Sequence, residues 1–220
     1  MTPLRRVADV RRTLGLRRFL ATLPRWALGP EFHVVVRDLG MPLPAISPLA
    51  GVRWAPLSWR DAAAITALNP ALSAPEQRRR WEEGQICVGG WLDAALVHYW
   101  WETTRPAYLP YLGRSFRPAR GDVCVVEAFT APAARGRRIS SSAAVLALHR
   151  SRDQGLRRSI GVIASWSTPS LRIGRSTTDR TTVGAVGYTR LGLWRRHFAT
   201  GAVRLAGSRD FEVLTSGART

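Results

Sequence analysis

The chain has 220 residues, 45% of them hydrophobic and 22% charged, which suits one α/β domain with an extension and excludes wholesale disorder. Its formal net charge is +18, and all 33 basic residues are arginine, a usage that reads as codon bias. Placement says more than the total: residues 1–29 carry seven Arg against one Asp, 30–130 carry ten of each sign, and 131–200 carry thirteen Arg against two Asp. A basic excess so placed suits a polyanionic ligand and attracts nucleic acid equally well.

In chain order, residues 1–29 repeat Arg pairs at 5–6, 11–12 and 17–18 among apolar residues, the pattern of a basic amphipathic helix ended by Pro24. Such an arm either touches a membrane surface or nucleic acid weakly, or packs on the domain or stays poorly ordered; it also looks somewhat like an organellar presequence. The sequence contains no apolar run long enough to span a bilayer. Residues 31–39 read as a strand, and the Pro-rich stretch 40–57 as a loop with a short strand near Val52. Ser58 with Asp61 predicts a helix start, Pro70 its end, and a second helix covers Pro75 to Glu83. Gln85–Val88 and Ala94–Trp101 predict a hairpin turning at Gly89-Gly90. Adjacent strand residues face opposite ways, so one of Trp100 and Trp101 is expected in the core and the other elsewhere, with a pocket wall as the competing role. Cys87 and Cys124 sit in separate apolar runs without metal-ligand spacing, so we expect buried, reduced thiols, no metal site and a cytoplasmic protein.

The informative stretch is Val123 to Leu148. An apolar, β-branched run (Val123–Phe129) predicts a buried strand, and Ala143 to Leu148 a helix free of Gly and Pro until Gly155. Between them lie Gly136, three arginines (Arg135, Arg137, Arg138) and Ser140 to Ser142. The first amides of a helix lack backbone acceptors and carry partial positive charge, so a phosphate suits this turn; a solvated, serine-capped basic loop is the plainer alternative. A second buried strand follows over Ser159–Ser165, then a short helix opened by Pro169 and closing strands through Val183 to Phe198, with one more strand or hairpin in 202–214.

Ala128-Phe129-Thr130-Ala131-Pro132, followed by Arg135-Gly136-Arg137-Arg138-Ile139-Ser140, resembles the core motif of the GNAT acyltransferase superfamily. The match holds at Arg135 and departs where the family has its main glycine, here Arg138, and a small Gly or Ala, here Ser140. Ser170-Leu171-Arg172 matches a later phrase, with Ser167 in place of its Asn and Thr178-Asp179 in place of its Gly-Phe. The resemblance spans roughly residues 31 to 200. It implies a mixed, mostly antiparallel α/β sheet flanked by helices and splayed at the core strand. The expected division is a basic extension over 1–29, an acyltransferase domain over 30–200 and a strand or tail over 201–220.

The resemblance further implies transfer of an acyl group from acetyl-CoA, or another acyl-CoA, to an amine-bearing acceptor. The cofactor would lie on Ala128, Phe129, Thr130, Arg135 to Ser140 and Ser167, including Gly136, Arg137, Arg138 and Ile139. A main-chain amide near Val126–Ala128 would serve the oxyanion. Glu127 is the candidate general base, with a structural ion pair as the alternative; Glu102 and Asp122 are weaker candidates. Tyr188 is the candidate acid for the leaving thiolate. Two other functions compete: a degenerate domain of this family acting as a scaffold, and a basic nucleic-acid-binding protein, although no reader motif is present.

Overall fold

The structure is a computed structural model that describes residues 29–47, 49–191, 194–207 and 210–214. The basic arm expected over 1–29 therefore lies outside the described residues, apart from Gly29. The first four strands of the described residues are β1 (Glu31–Asp38), β2 (Val52–Leu57), β3 (Ile86–Leu92) and β4 (Ala95–Thr103). Between β2 and β3 run α1 (Ala62–Leu68) and α2 (Ala74–Glu82). The Ser58–Asp61 box forms as read, with the Ser58 amide donating to Asp61 over 2.8 Å, although it begins a single 3-10 turn before α1. After β5 (Ala107–Leu109) and β6 (Arg114–Arg117) come β7 (Asp122–Thr130), α3 (Ile139–Asp153), β8 (Arg158–Ala164) and α4 (Thr168–Arg172). The chain closes with β9 (Thr181–Leu191), β10 (Trp194–Ala199), β11 (Val203–Ala206) and β12 (Asp210–Val213).

Eight strands form one sheet in the order β10-β9-β1-β8-β7-β4-β3-β2. Every neighbouring pair is antiparallel except β7 and β8, which are parallel and joined by the crossover helix α3. A smaller sheet, β11-β12-β6-β5, is built from the segment before β7 and the closing hairpin. The fold is thus the mixed, mostly antiparallel α/β arrangement expected, with helices on both faces.

Trp100 and Trp101 do face opposite ways; both are buried, and Trp100 also lines the cleft described below. Trp100 packs with Val88, Ala143 and Ala147 beneath α3, while Trp101 packs with Trp81 of α2 in the main cluster around Ile65 and Leu72. The hairpin turn is corrected: β3 runs through Gly89 and Gly90 and the chain reverses at Asp93, which has φ 54°. The two glycines are there for space. A Cβ on Gly90 would sit 2.5 Å from Cζ3 of Trp54, and one on Gly89 would sit 2.7 Å from a Leu57 methyl.

Candidate active-site cleft

The parallel pair β7–β8 is short. It holds from Asp122↔Arg158 to Val125↔Gly161 and then ends. Beyond that rung β7 stays on β4 as far as His98↔Thr130, and β8 stays on β1 as far as Phe32↔Ala164. Each strand keeps one partner, so only the backbone groups that face each other across the gap lose theirs. The gap is a cleft of about 300 Å³ that passes through the sheet. On one face it is walled by Ser140, Ala143, Ala144 and Ala147 of α3, whose small side chains leave the space; on the other it reaches Phe32, Tyr111 and Glu127.

At the wide end stands the first turn of α3. No side chain caps it, leaving the amides of Ile139, Ser140 and Ser141 free to bind an anion. The serines expected to cap the helix lie inside its first turn, and Arg138 occupies the cap position itself with φ 60° and ψ 8°. That is the left-handed conformation a glycine adopts without strain and other residues rarely take. Its side chain is exposed and does not line the cleft.

Of the other residues expected to hold a cofactor, Ala128, Ser140 and Ser167 come together on the cleft wall. Gly136 and Arg137 are exposed at the turn, and Arg135 lies over the Phe129 ring at 5.9 Å. Thr130 is bound to His98, and Ile139 is buried with Val97 and Ala134, a packing role.

Glu127 faces the α1–α2 side and is fully engaged. Its Oε1 accepts from the Tyr99 hydroxyl at 2.8 Å and from Asn69 Nδ2 at 3.3 Å, and its Oε2 lies 2.7 Å from Arg80 Nη2. Burial works against the Arg80 charge, but Glu127 and Glu76 outweigh it and raise the guanidinium pKa. The two weaker acidic candidates are structural. Glu102 is buried between Arg150 and the Trp100 indole, and Asp122 holds Arg158 through both oxygens.

Tyr188 is not a cleft residue. It is buried on β9 beneath Arg195 and beside His197, and its amide faces Pro30. The phenol that does line the cleft is Tyr111, its ring centre 4.5 Å from that of Phe32 and tilted by 31°, with its pKa pushed up by burial. Sequence reading passed over it because it sits in an irregular turn whose partner, Phe32, is distant in the chain. His98 was also missed as a wall residue; burial depresses its pKa to about 3, leaving a neutral ring whose Nε2 has no partner among the described residues. Cys87 and Cys124 are buried and unbonded. No three His, Cys, Asp or Glu side chains gather as a metal site among the described residues.

The fold, a mixed sheet whose one parallel pair parts beside the start of α3, has counterparts among solved structures. Three solved structures share that fold with this chain. An acetyltransferase assigned to the GNAT family from Novosphingobium aromaticivorans superposes with a TM-score of 0.53 at 18% identity, over 74% of this chain and 63% of the other. GCN5-related N-acetyltransferases from Sphaerobacter thermophilus (TM-score 0.53, 14% identity, 83% and 56% of the two chains) and Kribbella flavida (0.52, 16%, 79% and 63%) match comparably. The chain spans less than two thirds of the length of each. No family model matches the sequence, and no curated protein does. No helix among the described residues is long and apolar enough to cross a membrane.

Proposed function

We propose that this chain is an N-acyltransferase that moves an acyl group from acetyl-CoA, or another acyl-CoA, to an amine. One observation carries the reading: β7 parts from β8 after Val125, opening a passage from the free amides of α3 to Glu127 on the opposite face. The wide end fits a pyrophosphate. Amides of Ile139 to Ser141 point there, Arg135 and Arg137 flank it, and Arg138 preserves the turn without plugging it.

A bound acyl-CoA supplies a thioester carbonyl, and the chain's own groups do the rest. Amides of Val126–Ala128 on the side that has lost β8 donate to the oxygen that gains charge. Glu127 takes the proton of the attacking ammonium through a water, since three donors already occupy its oxygens. Because Tyr111 lines the cleft and Tyr188 does not, Tyr111 is the phenol placed to donate a hydrogen bond to the departing thiolate, which takes its proton from solvent.

The test is thermal unfolding with and without coenzyme A. A ligand bound only by the native state at a hundredfold excess over its Kd stabilises by ~2.7 kcal/mol, a rise of about 5 °C or more for a domain of this size. No shift with coenzyme A or acetyl-CoA, together with salt-dependent retention on DNA, overturns the reading in favour of a nucleic-acid-binding protein.

A further inference from the structure

Arg180, at the entry to β9, lines the cleft. Its Nη1 lies 3.2 Å from where a Cβ on Gly161 would sit, and Gly161 forms the last rung before β8 leaves β7. Gly161 and Ile163 share the face of β8 that Gly174 covers, so the guanidinium stands at the narrow apex of the cleft on the α3–α4 side.

Among the described residues this cation has no anionic partner. Its side chain donates to the Ser159 hydroxyl at 2.9 Å, and its Nε is buried with no partner among the described residues. Carboxylates of the flanking elements are committed elsewhere. Glu102 holds Arg150, Asp122 holds Arg158, Glu127 holds Arg80, and Asp179 holds Arg37. Arg180 is half-buried, and that burial pulls its pKa down to about 10, the direction expected of a guanidinium short of both water and a counter-charge. Leaving a buried charge unpaired is costly, and a position at the floor of an open cleft lets a ligand supply the missing charge.

We infer that the acyl group carried by this protein's donor ends in a carboxylate, which pairs with Arg180. The inference rests on the acyl-CoA reading above. With the phosphates at the wide end, beside Ile139 to Ser141, the end of the donor farthest from them is the acyl chain, and it reaches the apex. An acetyl group would leave the guanidinium unpaired; a four-carbon dicarboxylic half-thioester places an oxygen pair against its planar donors. The reaction balances as before: the amine nitrogen bonds to the thioester carbon, the C–S bond breaks, the ammonium proton passes to the base and the thiolate is protonated. The distal carboxylate is unchanged throughout.

Calorimetric titration of the full chain with coenzyme A, butyryl-CoA and succinyl-CoA tests it, because the two thioesters have equal chain length and differ in a methyl against a carboxylate. Succinyl-CoA should bind about tenfold tighter than butyryl-CoA to the native protein. Arg180→Met should erase that preference and leave the affinity for coenzyme A itself within about threefold, while Arg180→Lys should retain part of it. Equal affinities in the native protein, or a preference that survives Arg180→Met, defeats the inference alone. Failure of coenzyme A itself to bind defeats the acyltransferase reading and this inference with it. Should Arg180→Met not fold, the native comparison and the lysine variant decide.

Discussion

Arg80 of α2 and Glu127 of β7 form an ion pair of 2.7 Å whose cation is almost fully buried. The guanidinium also contacts Glu76 through Nε at 3.1 Å and lies over the Trp101 ring at 5.4 Å. The pair ties the helices on one face of the sheet to the strand that borders the cleft, and it holds the carboxylate in one orientation at the cleft's edge. Removing one partner leaves the other charge stranded, a larger loss than the pair's own net contribution.

Arg80→Met should therefore cost about 3 kcal/mol or more, and Arg80→Met with Glu127→Met together less than the sum of the two single changes. Urea unfolding of the four proteins measures this. Strict additivity would show that the pair is not coupled. Glu127→Gln keeps the shape and should lower the acyl-transfer rate constant at least ~100-fold with coenzyme A affinity unchanged.

Arg138→Gly should stabilise the protein. The arginine occupies a left-handed conformation at φ 60°, its side chain is exposed, and it does not line the cleft. Relief of that strain is expected to gain about 1 kcal/mol, whereas Arg138→Val at the same backbone angles should lose at least as much. Coenzyme A affinity should change by less than about threefold in the glycine variant. A large gain would mean the side chain obstructs the turn; a large loss would mean it binds phosphate.

His98 should make stability fall in acid. Its folded pKa of about 3 lies below the ordinary value of 6.5, because burial disfavours the charged ring. Between those values the unfolded chain binds more protons than the folded one, so stability drops as pH falls through the window, by at most ~1.4 kcal/mol per unit, and above it His98 adds no slope. Denaturant unfolding at pH 7.5, 6.0 and 5.0 should show a shallower decline in His98→Gln than in the native protein. Parallel curves would contradict this account.

Gly90→Ala should be destabilising by ~1–3 kcal/mol, because three atoms of the Trp54 indole lie within 3.0 Å of the added Cβ. Tryptophan emission should shift with it. A variant unfolding within ~0.5 kcal/mol of the native protein would mean that the indole swings away freely.

Local patterns made most elements legible before any coordinates. β-branched runs marked β1, β7 and β8, Ser58 with Asp61 marked the approach to α1, and the alanine-rich run marked α3. The Gly89-Gly90 pair misled because its role is tertiary: the glycines make room for Trp54 and Leu57 across the strands, and a turn needs the same residue type for another reason. Tyr188 misled for a related cause. Its surroundings in the chain resemble a family's closing strands, but which phenol faces the cleft depends on where the turn after β5 lands relative to Phe32.

By itself the sequence determined the strand–turn–helix unit, its basic turn and the distribution of charge, because propensity, periodicity and glycine placement act over a few residues. Tertiary structure alone decided that β7 parts from β8, that Arg138 takes the left-handed cap, that Glu127 is held by Arg80 and that the Arg180 Nε is left without a partner among the described residues. Those outcomes depend on which strand keeps which neighbour and which cation reaches which carboxylate. Such pairings join residues far apart in the chain, and no local pattern encodes them.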